Sequence, residues 1–225
     1  SAASDVYKRQ VHTFAEGVEM FSRIMDFFCR ERPYELKFNV VRPDERQVVL
    51  ETSGLTVESF PLRHRVPCVG YVFREKPKQL HLRGDMVKFL DIPLSRLKEI
   101  KEGADYVAPD GRVFPNAMLT TAADHAASYA YCSDTVYTPS LAKQVQGVDL
   151  LYHEATYTDE AADSARERFH STASEAAHIA KAAGVGRLML GHYSKAYNTE
   201  AQHLAEARLI FPDTIAADEG LTIEL

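Results

Sequence analysis

VDLLYHEATY at residues 148–157 and FHSTASEAAHIAKAAGVGRLMLGHYSKAY at residues 169–197 decide the fold. In the first, the apolar run Val148, Leu150, Leu151 stops at His153-Glu154; in the second, Leu188, Met189 and Leu190 stop at Gly191-His192. A short apolar run closed by a turn reads as a buried parallel strand, and ligands bind beyond the carboxyl ends of such strands. Between the two, Thr172 and Glu175 form a T-x-x-E capping box, Ala176, Ala177, Ile179, Ala180 and Ala183 keep helical spacing, and Gly184 stops the helix. The order strand, His170, helix, strand, His192 therefore predicts polar clusters gathered at one end of one sheet.

Working outward, 225 residues with 45% hydrophobic content can bury one sizeable core. No apolar run approaches the ~18 residues a membrane helix needs, so no membrane partner is expected. Cys29, Cys68 and Cys132 are widely spaced and contain no C-x-x-C, which fits a reducing cytoplasm better than a disulfide framework. Residues 1–10, SAASDVYKRQ, have no apolar h-region and read as a non-native or disordered leader, leaving 11–225 as the domain. Net charge is −6, which argues against a strongly cationic nucleic-acid binder. Its distribution is uneven: residues 74–101 carry eight Lys/Arg, Lys76, Lys78, Arg83 and Lys88 among them, against four acids. This stretch suits a phosphate-contacting arm; the alternative is a solvated helix face.

Along the chain, Phe14, Val18, Phe21, Met25 and Phe28 keep helical spacing over 13–30 and read as core. Strand-like runs follow at 36–41, 47–51 and 55–60, a meander rather than a βαβ unit. His64 sits on a polar break between two strands. Ala108-Pro109-Asp110-Gly111 reads as a turn between short strands, and the excursion around it as a protrusion or lid. Ser128 to Cys132 is another strand, ending at Asp134-Thr135, where Asp134 is a weak helix cap because Val136 to Pro139 start no helix. A helix near 141–145, a helix at 200–209 and strands at 214–217 and 221–224 complete an α/β chain.

His64, Asp134, His153, Glu154, His170 and His192 thus stand at or near element ends. Imidazole suits zinc, and a carboxylate can bridge two metals about 3.5–4 Å apart that clamp a phosphoryl displacement. His170, on the approach to a helix, suits a general acid oriented by Glu154 or His153. Ordinary surface or supporting histidines remain the alternative, since no tight H-x-x-x-H or C-x-x-C spacing is present.

Taken together, Pro61-Leu-Arg-His64 with Gly70-Tyr71, Ser133-Asp134-Thr135, His153-Glu154-Ala155-Thr156, His170-Ser171-Thr172 and Gly191-His192-Tyr193-Ser194 resemble ribonuclease Z, the tRNA 3′-processing endonuclease family of the metallo-β-lactamase fold. The resemblance implies an α/β, αββα sandwich, here incomplete at the N-terminus, with a basic arm inserted at about 74–108. It implies two zinc ions per complete subunit, with His64 on one, His192 on the other and Asp134 bridging. His170 would move the proton to the leaving group, positioned by Glu154, with His153 and Thr135 supporting. Precursor tRNA is the implied partner, gripped by the arm (Lys76, Lys78, Arg83, Lys88) and by Ser194 and Lys195, in a cytoplasmic homodimer. Another phosphodiesterase of the same fold, or an inactive tRNA-binding fragment, is the competing reading.

Three features depart from the family. No H-x-H-x-D-H occurs in the chain, which is expected from its motif order to start beyond that motif; Ile92-Pro93-Leu94 stands where a Gly-Pro pair is expected; and Ala196 replaces a favoured Arg. Because closed zinc sites take about four ligands, this 225-residue chain is expected to hold zinc weakly and not to cleave RNA. Elemental analysis of the purified chain checks this: two tightly held zincs per chain would contradict it.

Overall fold

A threonine and a glutamate start the helix on which the molecule's main layer rests. The Thr172 side chain accepts from the Glu175 backbone N–H at 3.2 Å and the Glu175 carboxylate accepts from the Thr172 N–H at 2.9 Å, closing a capping box. Gly184 ends the same helix at φ 62°, a left-handed conformation that glycine adopts without cost. The computed structural model describes residues 7–225. In chain order the strands are β1 (Tyr7–Thr13), β2 (Tyr34–Val40), β3 (Gln47–Glu51), β4 (Leu55–Leu62), β5 (Cys68–Glu75), β6 (His81–Leu82), β7 (Tyr106–Val107), β8 (Val113–Phe114), β9 (Thr120–Thr121), β10 (Ser128–Cys132), β11 (Leu150–Glu154), β12 (Arg187–Gly191) and β13 (Thr214–Ala216). The helices are α1 (Ala15–Phe28), α2 (Gly84–Phe89), α3 (Leu94–Lys101), α4 (Asn116–Leu119), α5 (Leu141–Gln144), α6 (Ala162–Arg168), α7 (Ala173–Ala183) and α8 (Ala201–Arg208).

Two compact units divide the described residues: one runs up to Arg74 and resumes over Ala127–Leu225, the other is Glu75–Ala126. The first holds a seven-stranded sheet in the order β13-β12-β11-β10-β5-β4-β3. Strands β10 to β13 run parallel, and β5 is antiparallel to β10. Ala130, Leu151, Leu188 and Leu190 are fully buried against Ala176, Ala177, Ile179 and Ala180 of α7, with Val145, Val148 and Ala207 completing the core. Each large side chain so buried contributes roughly 1.5–3 kcal/mol. Asp149 pins the start of β10 to β11: its Oδ2 accepts from the Ser128 N–H at 2.7 Å and from the Ser128 hydroxyl at 2.6 Å. The alternate side chains of the sheet form an aromatic face, with Tyr131 stacked on Tyr152 at 4.7 Å and Phe73 on Tyr129 at 5.7 Å.

Several expectations change. Residues 7–10, read as leader, belong to β1, which pairs in parallel with β2 from Tyr7↔Tyr34 to Thr13↔Val40; residues 1–6 lie outside the described residues. The opening is therefore a βαβ unit after all, because setting residues 7–10 aside removed most of the partner of β2. Helix α1 forms over the predicted span but buries none of its residues; Phe28 is 75% exposed and Phe27 68%. Its apolar stripe lies against β1 and β2, where Phe21 and Met25 line a shallow cavity with Val11, Leu36 and Phe38, and stays only partly covered. No strand forms at 221–224.

The unit Glu75–Ala126 has a core of its own in Ile92, Ile100, Tyr106 and Leu119, and β7 and β8 form the hairpin around the Ala108–Gly111 turn. It runs past the arm expected at about 74–108. Beyond the charged stretch 74–101 it adds Glu102, Asp105, Asp110 and Asp124 against Arg112, so the whole unit balances eight Lys/Arg with eight Asp/Glu.

Replacing Leu188, fully buried in β12, by alanine should cost about 2–5 kcal/mol, whereas Thr172→Ala should cost about 1 kcal/mol. Thermal denaturation of both variants checks the ranking, which fails if the cap variant melts lower.

Candidate active site

Three strands of the large sheet end, or turn, in polar residues. Strand β10 ends two residues before Asp134, β11 ends on Glu154 and β12 ends one residue before His192. Asp134 at φ 59° and His192 at φ 60° both occupy the left-handed region, as does Phe169 at φ 62°, beside His170. Such conformations are disfavoured for residues with a Cβ and persist where the surroundings impose them. Gly191 gives the last turn its clearance: a Cβ there would sit 2.7 Å from the Tyr152 ring.

Glu154 is the hub. Its side chain is wholly buried, with Oε1 accepting from the Thr135 N–H and from His170 Nδ1, each at 2.8 Å. Oε2 accepts from the Thr156 N–H at 3.2 Å and the Thr156 hydroxyl at 2.5 Å. Because that hydroxyl spends its one proton on the carboxylate, its oxygen accepts from His192 Nδ1, 2.9 Å away. His64 is fixed in the same manner, Nδ1 donating to the Phe169 carbonyl at 3.0 Å. Each of the three imidazoles therefore has Nδ1 committed to a backbone or side-chain oxygen and Nε2 left for chemistry, the arrangement that orients metal-binding histidines.

Donor atoms of Asp134, His170 and His192 lie within 4.8 Å of one another, and His64 stands beside this group with its ring 5.1 Å from that of His170. Asp134 Oδ1 faces His192 Nε2 at 3.0 Å yet is buried without a hydrogen bond. With the His192 proton on Nδ1, two lone pairs meet there, and a cation between them would relieve the contact. An imidazole and carboxylate donor set of this kind fits zinc and related divalent ions.

Of the two orienters open for His170, Glu154 makes the contact. His153 is fully buried, but its Nδ1 donates to the Glu154 carbonyl at 2.7 Å and its Nε2 has no hydrogen-bond partner among the described residues. Burial holds the His153 imidazole below its ordinary value. Thr135, besides its N–H, receives the Arg63 N–H on its hydroxyl and the Ser171 hydroxyl on its carbonyl. Ser194 bonds backbone to backbone with Thr156 at 3.1 Å, and Lys195 is exposed. Lys76, Lys78, Arg83 and Lys88 all belong to the other unit; Lys78 pairs with Glu75 at 2.9 Å and Arg83 with Asp85 at 3.0 Å, while Lys88 is exposed.

Two residues had no role assigned from sequence. Thr156 orients His192 and touches His170 as well, at 3.3 Å; its place directly after the His-Glu-Ala run was the available signal. His203, fully buried, lies edge-on between Tyr193 at 4.9 Å and Tyr197 at 4.6 Å, bracing the segment that carries Ser194 and Lys195. Burial lowers its pKa.

The Glu154 hydrogen bond raises the His170 pKa against the opposing effect of burial. For Glu154, burial acts upward, but the His170 and Thr156 hydrogen bonds outweigh it and the carboxyl titrates low. The histidine's contribution to stability is present below its ordinary value and is lost as pH rises through the elevated folded one. The carboxylate's is present above its ordinary value and is lost as pH falls through the depressed one. The pair therefore stabilises most between 4.5 and 6.5, the two ordinary values. In metal-free protein, Glu154→Gln should move the His170 titration, followed by NMR of the imidazole C–H, to lower pH. An unchanged titration would remove Glu154 as the cause.

Comparison with known proteins agrees with this geometry. Residues 116–193 match the beta-lactamase superfamily domain model. The chain is 47% identical to ribonuclease Z of Parabacteroides distasonis over 209 residues, covering 92% of this chain and 69% of the relative. It is 46% identical to ribonuclease Z of Porphyromonas gingivalis W83 over 211 residues, covering 93% and 69%. The crystal structure of the short form of human tRNase Z superposes with a TM-score of 0.62 at 18% identity, covering 98% of this chain and 69% of that one, a likeness of fold. With its sheet, its strand-end residues and these relatives in agreement, the chain belongs to the ribonuclease Z family, endoribonucleases of the metallo-β-lactamase fold.

Proposed function

We propose that this chain carries the acid-base half of a zinc-dependent endoribonuclease that removes 3′ trailers from precursor tRNA by phosphodiester hydrolysis. The observation that carries the reading is the network in which Glu154 and Thr156 hold His170 and His192 facing Asp134. His64, Asp134 and His192 would hold metal, with two zinc ions per complete subunit and Asp134 shared between them. Bound there, the ions would supply Lewis-acid polarisation of the scissile phosphoryl group.

His170 is the general acid. Its Nδ1 is held by Glu154, so Nε2 can carry a proton to the departing oxygen, and the raised pKa favours the protonated form needed for that role. His170 and the Thr156 hydroxyl, with the Thr135 N–H, hold the Glu154 carboxylate ionised against burial. His153 supports β11 beneath it. The unit Glu75–Ala126 serves as the arm toward the tRNA body through Lys76, Lys78, Arg83 and Lys88, with Ser194 and Lys195 on the substrate side of the site. Its balanced charge makes the grip local rather than a long-range attraction. We read the protein as a homodimer in which one arm serves the other subunit, acting in the cytoplasm; the three free thiols fit that compartment.

A chain completed by a segment with H-x-H-x-D-H should cleave a 3′-extended precursor tRNA, and His170→Ala in it should lower kcat by about 10²–10⁴ with KM little changed. Turnover of small phosphodiesters alone, or salt-sensitive tRNA binding with no turnover, would overturn the assignment.

A further inference from the structure

We propose that the cavity between Arg65 and Arg168 is a binding subsite for a backbone phosphate of single-stranded RNA, next to the phosphate that is cleaved; the inference rests on the nuclease reading above. A cavity of about 520 Å³ opens beside the catalytic imidazoles and is lined by His64, Arg65, Val66, Arg168 and His170. Its two cations come from different parts of the chain. Arg65 follows His64 in the connection between β4 and β5, and Arg168 is the last residue of α6.

Their placement is fixed by the backbone that orients the imidazoles. Phe169 turns the chain left-handed at the end of α6, with its N–H on the Arg166 carbonyl and the His170 N–H on the Ala165 carbonyl at 2.8 Å. The Phe169 carbonyl then receives His64 Nδ1 at 3.0 Å, which brings the two arms of the cavity together. Arg168 and His170 thus flank one rigid turn.

Among the described residues neither Arg65 nor Arg168 has a carboxylate partner. Other arginines do: Arg42 pairs with Glu45 at 2.7 Å, Arg46 with Glu58 at 2.7 Å and Arg187 with Asp213 at 2.8 Å, and Arg166, two residues before Arg168, is taken by Asp163. Two unneutralised guanidinium groups facing one cavity repel each other and oppose positive charge on His170. An anion between them reverses both effects. Guanidinium forks match the oxygens of a phosphate two at a time. An RNA strand crossing His170 presents such a group at every nucleotide, and Val66, 60% exposed at the rim, offers an apolar surface to a ribose or base.

Fluorescence anisotropy with three RNAs tests the subsite: a precursor tRNA with its 3′ trailer, the same tRNA without it, and the free trailer oligonucleotide. Each is titrated over a range of salt with the wild-type chain, Arg65→Gln/Arg168→Gln, Arg65→Lys/Arg168→Lys, and the remote control Arg42→Gln. The Gln pair should weaken binding roughly tenfold or more and flatten the slope of log K against log salt by about 0.7, one phosphate's worth for a single strand. The Lys pair should restore the slope and only part of the affinity. Loss confined to trailer-bearing RNAs puts the phosphate on the trailer side, and loss on trimmed tRNA puts it on the tRNA side; both support the subsite. Binding by the Gln pair equal to that of Arg42→Gln on every RNA overturns it while leaving the tRNA reading intact. Arg-dependent binding of the free oligonucleotide, with no binding of either tRNA, supports the subsite and sinks the tRNA reading instead.

Discussion

A carboxylate buried without its counter-charges would cost several kcal/mol, and the site is arranged around avoiding that cost at Glu154. The strand β11 carries this side chain into a fully enclosed position, where water cannot serve it. Four donors must therefore come from the protein, and they come from Thr135, from Thr156 twice and from His170. The four donors come from three different strand ends or helix approaches. Satisfying one buried charge thus sets the relative positions of the segments after β10, after β11 and before α7. The imidazole of His170 is oriented as a by-product of electrostatic necessity, and His192 is oriented one step further out through the Thr156 hydroxyl.

The same logic accounts for where backbone strain is held. Asp134, Phe169 and His192 have positive φ and side chains that make this unfavourable. Sheet hydrogen bonds hold the residues before Asp134 and His192, and the end of α6 holds Phe169. A parallel sheet flanked by a well-capped helix is rigid enough to impose these angles. The result is a set of side chains that leave their strands sharply and converge, which relaxed extended residues in the same positions would not do.

Much of this was legible in the chain itself. Apolar runs ending in His153-Glu154 and Gly191-His192 located two strand ends, and the T-x-x-E box with Gly184 located α7 at both ends, because burial and capping are local and leave compositional traces. What escaped were properties that arise only when distant segments meet. Phenylalanine gives no hint of a left-handed conformation, so the Phe169 turn was invisible. One hydroxyl serving a carboxylate and an imidazole at once cannot be read from Thr156 alone. At the start, strand β1 reads YKRQVHT, too polar to announce itself, and without it β2 looked like part of a meander instead of half a βαβ unit. The stripe of α1 was real, but periodicity reports an apolar face and not what covers it.

Charge was the feature most misjudged by reading in windows. Over 74–101 cations outnumber acids two to one, yet the folded unit ends at Ala126 and is neutral as a whole. Several of its cations sit in ion pairs, Lys78 with Glu75, Arg83 with Asp85 and Arg96 with Glu99. Exposed pairs of this sort add about 0–1 kcal/mol each, but they cancel field at distances beyond a Debye length, about 8 Å at physiological salt. A polyanion approaching this protein would feel little net pull from that unit. Recognition must then depend on short-range, geometrically fixed cations, and two that lack acidic partners, Arg65 and Arg168, stand at the mouth of the cavity beside His170.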